Sequence, residues 1–141
     1  MLVVDTSVAV KWVVPETAAH HEADTDIALL LLERGLIAPD CILGEFANAL
    51  FRKLQRNEIR REHADKAIAI LPDIVRFEPI VSLIVPAFEL ACTLSHPVHD
   101  CLFLALAIEI DGQLISADMA FVDRCRAHSL NYPIIALSEY A

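Results

Sequence analysis

The sequence predicts an α/β fold in which helices cover both faces of a mainly parallel sheet. Short apolar runs alternate along the chain with longer segments of helical composition. Strands that alternate with helices pair in parallel, because each helix carries the chain back to the same end of the sheet. No linker, repeat or low-complexity tract interrupts the pattern, so we expect one domain over residues 1–141, long enough to bury a single core.

The first quarter of the chain contains two strand and helix units. We predict strands at Leu2–Val4 and Leu36–Ala38, a helix from the polar residues 5–7 to about Val14, and a helix at Glu22–Arg34. One of the small polar residues Asp5, Thr6 and Ser7 caps the first helix, and Pro15 stops it. Gly35 is expected to end the second helix as its C-cap.

The remaining segments continue the alternation. We predict helices at Cys41–Asn57, Arg61–Ile74, Leu83–Leu94, Pro97–Ile110 and Met119–His128, with strands at Val75–Ile80, Gln113–Ala117 and Pro133–Leu137. Pro86 falls in the first turn of its helix, where the missing N–H costs nothing. The helix from Pro97 is apolar on nearly all sides after Asp100, which predicts that it is buried, and Asp111-Gly112 closes it.

The charge of the chain is acidic with one basic exception. A net charge of −9 argues against a protein that coats nucleic acid by bulk electrostatics. Between Arg52 and Arg61, five basic residues accompany a single acid, Glu58, so this segment carries +4 and the rest of the chain −13. The segment is either the place where a polyanion binds or a solvated helical turn.

Apolar residues exceed what one core needs. They make up 56% of the chain, with a mean hydropathy of +0.50, which predicts a dimer or partner contact. The longest unbroken apolar run, Cys101–Ile108, is too short to cross a membrane, and the opening residues lack the features of a signal peptide. We therefore expect a cytoplasmic protein with no membrane segment.

The cysteines form no CxxC motif and no paired spacing. Each lies in an apolar or helical segment, so we expect reduced thiols in the core rather than disulfides or zinc ligands. The four positions are Cys41, Cys92, Cys101 and Cys125.

Three acids are predicted to meet at one edge of the sheet. Asp5 follows the first strand and Asp118 follows the Gln113–Ala117 strand, and polar sites gather beyond the carboxyl ends of parallel strands. Asp100 lies in the first turn of the buried helix and can project from its N-terminus into a cleft. Each acid alone could instead cap a helix or complement its dipole.

A fourth acid shares a helix face with cations. At about 100° per residue, one side of the Cys41–Asn57 helix is apolar and the opposite side is polar. The polar side carries Glu45, Asn48, Arg52 and Arg56. Arg52 and Arg56 are candidate contacts for RNA phosphates, and the alternative is a solvated ion-pair face.

Four converging carboxylates point to a bound cation. They would repel one another and raise each other's pKa values unless positive charge lay between them. Mg²⁺ or Mn²⁺ prefers such oxygen ligands, and can activate water for phosphodiester hydrolysis. Zinc at His96, His99 and Asp100 is disfavoured because no further ligand is suitably spaced, and a serine hydrolase is disfavoured because GxSxG is absent.

With these residues in place, the chain resembles the VapC branch of the PIN-domain nucleases over essentially its whole length. In that family an Asp after the first strand is a metal ligand, a neighbouring hydroxyl lines the site, and a later Asp opens an apolar helix. The four segments that carry the resemblance are Val3–Trp12, Glu45–Leu50, His99–Ala107 and Ile115–Phe121.

The resemblance implies a three-layer α/β/α sandwich and a Mg²⁺- or Mn²⁺-dependent endoribonuclease toxin. It further implies a homodimer and inhibition by a cognate antitoxin. The expected metal ligands and catalytic residues are Asp5, Glu45, Asp100 and Asp118. The residues expected to line the site are Thr6, Ser7, Asn48 and Ser116.

Two other functions compete with this interpretation. An aspartyl phosphatase needs a second Asp two residues after the first, where Ser7 stands, and a phosphoryl-accepting receiver needs a late strand-end Lys, whereas no Lys follows Lys66. A non-catalytic binding protein with a degenerate acidic site is disfavoured because all four acids are present.

Overall fold

A computed structural model describes residues 1–14 and 19–140, and a parallel sheet lies at its centre. The strands of this part of the chain are β1 (Leu2–Val4), β2 (Leu36–Pro39), β3 (Val75–Glu78), β4 (Gln113–Ser116) and β5 (Ile134–Ala136). They lie in the order β3-β2-β1-β4-β5, and every neighbouring pair is parallel. The predicted α/β fold is confirmed.

Helices form a layer on each side of the sheet. They are α1 (Thr6–Lys11), α2 (Ala19–Leu30), α3 (Ile42–Gln55), α4 (Arg61–Ile74), α5 (Ile84–Leu94), α6 (Val98–Glu109) and α7 (Met119–His128). α1 packs against α2 and α3, and α3 against α4, whereas α5 packs against α6 and α7. Right-handed crossovers between parallel strands place these two groups on opposite faces, which gives the three-layer sandwich.

The helix predicted to be buried is enclosed between the sheet and another helix. α6 contacts β1, β2 and β4 on one side and α5 on the other. All residues from Cys101 to Ala107 are buried, as expected for a helix that is apolar all round. Asp111 then turns the chain at a φ of 53°, and Gly112 is required because a Cβ there would lie 2.8 Å from the carbonyl oxygen of Met1.

Two predicted helix ends are wrong. α1 ends at Lys11 rather than near Val14, because the N–H groups of residues 12–14 bond to Ala9 and Val10 in a tightened turn. Pro15, predicted to stop this helix, lies outside the described residues. Gly35 is not a left-handed C-cap: a 3-10 turn follows α2, and the Gly35 carbonyl accepts the N–H of Leu2 at 3.1 Å as part of the sheet.

Two further expectations need correction. The third strand ends at Glu78 rather than Ile80, because the Asp40 carboxylate accepts the N–H of Ile80 at 3.2 Å and turns the chain after Pro79. All four cysteines are free, but only two of them are core residues. Cys101 and Cys125 are buried, whereas Cys41 is half-buried and Cys92 lies exposed on the outer face of α5.

No single helix among the described residues is long and apolar enough to span a membrane. Only α5 and α6 taken together reach that length and composition, and they are bent at 115° to each other.

Candidate active site

The site forms where the chain changes direction across the sheet. From β1 the chain first builds β2 and β3 on one side, and later β4 and β5 on the other. In sheets of this kind a crevice opens at the carboxyl ends of the two strands that flank the switch. Val4 of β1 is paired with Ile115 of β4, so Asp5 follows directly beside Ser116.

A cavity of about 430 Å³ opens at this point. All four predicted acids line it, together with the predicted lining residues Thr6, Ser7 and Asn48 and the predicted phosphate contact Arg52. Among the described residues, those that line it are Asp5, Thr6, Ser7, Glu45, Asn48, Arg52, His99, Asp100, Phe103 and Asp118. The structure therefore brings together acids that are up to 113 positions apart in the sequence.

Two predicted site residues do not line the cavity. Ser116 is completely buried beneath Asp5 and touches the site only through its hydroxyl. Arg56 follows the last turn of α3 and does not line the cavity. Ser116 is inaccessible because it belongs to β4, which has a strand on either side, and its hydroxyl group is engaged by Asp5 and by the N–H of Asp118.

Asp5 is held by two serine hydroxyl groups. Ser7 and Ser116 each donate a hydrogen bond to its carboxylate, and the N–H of Val8 donates to Oδ1 at 3.3 Å. The Ser7 oxygen accepts the N–H of Ala117, and the Ser116 oxygen accepts the N–H of Asp118, each at 3.0 Å. These backbone donors occupy the serine lone pairs, so the hydroxyl protons are directed at the carboxylate.

Burial is the largest influence on the pKa of Asp5. It raises the pKa of this carboxyl from 3.8 to about 6, although the hydrogen bonds from Ser116, Ser7 and Val8 act in the opposite direction. The nearby Asp100 charge raises the pKa further. A cation in the cavity would relieve both effects.

Asp5 and Asp118 also cap helices. Asp5 accepts the N–H of Val8 at the start of α1, and Asp118 Oδ1 accepts the N–H of Phe121 at 3.3 Å at the start of α7. A cap of this kind occupies one carboxylate oxygen. Capping and a role in the cavity are therefore compatible, because the cap itself orients the acid at the edge of the sheet.

Asp100 has histidine neighbours on both oxygens. His96 Nε2 lies 2.6 Å from Oδ2, and His99 Nε2 lies 3.6 Å from Oδ1. Asp100 stands in the first turn of α6, where the positive end of the helix dipole favours a carboxylate.

Glu45 contains an enclosed oxygen with no partner. Its Oε2 atom and the Thr6 Oγ1 atom are buried without a hydrogen bond of ordinary geometry, although the Thr6 hydroxyl lies close enough to Glu45 to lower its pKa. Burial raises the pKa of Glu45, while the Cys41 hydrogen bond and the His99 charge lower it. Buried oxygen atoms rarely stay unsatisfied, so these two fit a site that takes a ligand with a positive charge or a donor group.

The donor set fits a hard divalent cation. Four carboxylates and an unpaired hydroxyl offer the oxygen ligands that Mg²⁺ and Mn²⁺ prefer, with no thiolate at the cavity. The carboxylates stand somewhat apart: within residues 1–14 and 19–140, no three His, Cys, Asp or Glu side chains are grouped tightly enough to hold a metal ion. The lining therefore fits such a cation by its chemistry, and the acids would have to move closer together to share one.

Three residues of the site were not predicted from the sequence. His99 and Phe103 line the cavity, and His96 forms a hydrogen bond with Asp100. The sequence suggested His96 and His99 only as zinc ligands. For Phe103 the available signal is its spacing from Asp100, because residues three positions apart meet on a helix. His96 lies in the turn before α6, where no such rule applies.

The fold and the cavity define a doubly wound α/β protein with an acidic crevice at the switch point of its sheet. The family model described as the PIN domain matches residues 2–127, and the chain belongs to that family. A comparison with curated proteins found no sequence match.

A similar solved structure is the crystal structure of VapC20 of Mycobacterium tuberculosis, described as a sarcin-ricin loop cleaving toxin. The superposition has a TM-score of 0.64 at 17% identity, and covers 86% of this chain and 95% of that one. At this identity the likeness shows a common fold.

Proposed function

We propose that this protein is a divalent-metal-dependent endoribonuclease toxin of the VapC type. The observation that carries the proposal is the convergence of Asp5, Glu45, Asp100 and Asp118 on one cavity at the switch point of the sheet. Membership of the PIN-domain family supports it, as does the fold shared with an RNA-cleaving toxin. The unpaired Glu45 oxygen supports a ligand that contacts these acids.

Each part of the cavity has a distinct task in phosphodiester hydrolysis. The four acids would hold Mg²⁺ or Mn²⁺, which when bound supplies an activated water and neutralises charge on the phosphate oxygens. Ser7 and Ser116 keep Asp5 oriented toward the cavity. Arg52, which lines the cavity on α3, would bind a phosphate of the substrate by charge-assisted hydrogen bonds.

RNA is the proposed substrate because cationic groups are placed beside the acids. Arg52 lines the cavity, and Arg56 lies one helical turn further along α3 on the exposed surface. Neighbouring cations are partly neutralised: Lys53 pairs with Glu58 at 3.2 Å, and Arg61 with Asp65 at 2.9 Å. Arg52 and Arg56 thus favour a path for the phosphate backbone that leads away from the cavity.

We also propose a cytoplasmic location, a homodimer and a cognate antitoxin that inhibits the enzyme. A groove of about 300 Å³ supports the proposal of an antitoxin, since it is largely apolar and reaches α3 at Phe46, the neighbour of Glu45 in the sequence. It is lined by Trp12, Val13, Leu32, Phe46, His63, Lys66, Ala67, Ile70, Leu71 and Ile74. A segment lying there could insert a basic side chain among the carboxylates, so its binding should compete with cleavage.

The direct test is cleavage of total RNA by the purified chain, with Mn²⁺ or with a chelator, followed by mapping of the new ends. We expect Mn²⁺-dependent internal cleavage by wild type. Asp5→Asn and Asp100→Asn should abolish it with unchanged circular dichroism, because each removes a ligand charge at constant shape. The matched control is Asp73→Asn, an exposed acid on α4 outside the cavity lining, which should retain full activity.

Full cleavage by either cavity variant would contradict the proposal. If neither wild type nor any variant cleaves RNA although all of them are folded, the result would favour the non-catalytic binding protein. The aspartyl phosphatase gains no support from the structure, since Ser7 donates a hydrogen bond to Asp5 from the position where that chemistry needs a second acid.

A further inference from the structure

We propose that His96 is a positioning residue that fixes the carboxylate of Asp100 for metal binding; this inference rests on the proposed function. His96 Nε2 lies 2.6 Å from Asp100 Oδ2. A carboxylate only accepts hydrogen bonds, so the imidazole donates. The bond engages one oxygen of Asp100 and leaves Oδ1 without a close partner, since His99 Nε2 is 3.6 Å away.

The backbone around His96 is fixed on both sides. Ser95 ends α5 in the left-handed conformation, with φ 52° and ψ 50°. The N–H groups of Ser95 and His96 both bond to the carbonyl oxygen of Ala91, the latter at 3.2 Å. Pro97 follows with its restricted φ. The imidazole is therefore presented from a rigid turn rather than from a mobile loop.

The ring of His96 is also held by packing. It lies against the buried ring of Phe121, with 4.6 Å between the ring centroids and 31° between the planes. The side chain of His96 is only 15% exposed. Phe121 belongs to the first turn of α7, and its N–H donates to Asp118 Oδ1. One imidazole thus connects the Asp100 carboxylate with the helix that Asp118 caps.

This arrangement is typical of groups that orient a metal ligand. A ligand that is free to rotate loses conformational entropy when it binds, whereas a hydrogen-bonded ligand is already in place. Removal of such a partner lowers metal affinity by about 10–100-fold. The alternative is a hydrogen bond that stabilises the turn between α5 and α6 and has no influence on the cavity.

Two variants separate these roles. His96→Phe keeps a ring against Phe121 and removes the donor, whereas His96→Gln keeps a donor and removes the ring. We would measure the Mn²⁺ dissociation constant by calorimetry and the melting temperature in chelator. His96→Phe should weaken Mn²⁺ binding by about 10–100-fold at an unchanged melting temperature, and His96→Gln should stay within roughly threefold of wild type.

Cleavage kinetics give a second readout. Because His96 acts through Asp100, saturating Mn²⁺ should restore most of the kcat of His96→Phe, with KM for RNA unchanged. Wild-type Mn²⁺ affinity in His96→Phe would overturn the inference alone. Equal losses in both variants together with a lower melting temperature would also overturn it, in favour of a purely structural pair. Wild type that binds no Mn²⁺ would overturn the proposed function and this inference with it.

Discussion

At the scale of single residues, Asp5 shows how the site is built at a cost in stability. Its carboxylate is enclosed between β1 and β4, where burial outweighs three hydrogen bonds and raises its pKa to about 6. A structural cap needs no such enclosure, because exposed aspartates cap helices equally well. The enclosure is useful if the carboxylate meets a cation in the cavity.

Asp5 should make the stability of the metal-free protein depend on pH. A raised pKa means that the folded state binds the proton more tightly than the unfolded state, so stability falls as pH rises from about 4 to about 6 and then levels off. Asp5→Asn should remove this part of the pH dependence, which amounts to a difference of roughly 1–3 kcal/mol in the free energy of unfolding between about pH 4 and about pH 6. Urea unfolding in chelator from pH 4 to 7 measures it.

Asp73→Asn is the control for that experiment. Its side chain is exposed on α4, so the substitution should shift the whole curve slightly and leave its shape unchanged. Parallel wild-type and Asp5→Asn curves would show that Asp5 is not the group that titrates.

At the scale of elements, α3 combines an acid of the cavity with the cations that would hold RNA. Arg52→Ala together with Arg56→Ala should weaken RNA binding and reduce the dependence of log K on log salt by roughly one per lost phosphate contact. Fluorescence anisotropy with RNA in chelator, at several salt concentrations, measures the slope. Arg61→Ala is the matched control, because Arg61 is paired with Asp65. An unchanged slope in the double variant would reassign both residues to a solvated face.

The central helix α6 should dominate the stability of the fold. Leu104 is fully buried among neighbours on all sides, so Leu104→Ala removes apolar contacts and leaves a cavity. We expect a loss of about 2–5 kcal/mol in the free energy of unfolding. Leu130→Ala, at a side chain that is 82% exposed, should change it by less than about 0.5 kcal/mol. Similar losses in both variants would contradict the central position of α6.

Elements with a strong periodic pattern could be predicted from the sequence, and those set by tertiary contacts could not. Met119–His128 is predicted to the residue, because Asp118 caps it and its apolar spacing is clear. The prediction of Gly35 as a cap is wrong because its role depends on β1, which lies beside it in space. The prediction of Cys92 as a core residue is wrong because a residue on α5 can face outward when nothing covers that helix.

The residues of the site likewise divide into those that the sequence predicts and those that tertiary contacts determine. Asp5 and Asp118 could be predicted because the carboxyl ends of parallel strands meet, and Asp100 because an acid opens a buried helix. The support from Ser116 depends on the register of β1 and β4, and that from His96 on the turn before α6. Neither the register nor the turn is encoded in a local pattern.

At the scale of the whole molecule, charge and apolar surface suggest where two copies meet. The chain carries a net charge of −9, so two copies repel unless they meet at an uncharged face. α5 offers such a face, since Glu89 is its one charged residue. Val85 and Phe88 on α5 are 66% and 60% exposed, and Val81 on the preceding turn is 80% exposed.

A dimer through α5 makes a direct prediction for sedimentation. Wild type should sediment as a dimer at micromolar concentration, and Phe88→Glu should sediment as a monomer, because it places like charges at the centre of the contact. Leu130→Glu, at an apolar side chain that is more exposed than Phe88 and lies outside α5, is the control and should remain dimeric. A dimeric Phe88→Glu variant would place the contact elsewhere.

The central claim is that the four acids hold a divalent cation, and the melting temperature of Asp100→Asn tests it most directly. Asn keeps an oxygen that can accept the bond from His96 and removes the charge. In chelator the variant should melt above wild type, since the carboxylates around the cavity repel one another. At a hundredfold excess of Mn²⁺ over its dissociation constant, wild type should gain about 2.7 kcal/mol and the variant much less, so that the order of the two melting temperatures reverses. Equal stabilisation of both proteins by Mn²⁺ would contradict the claim.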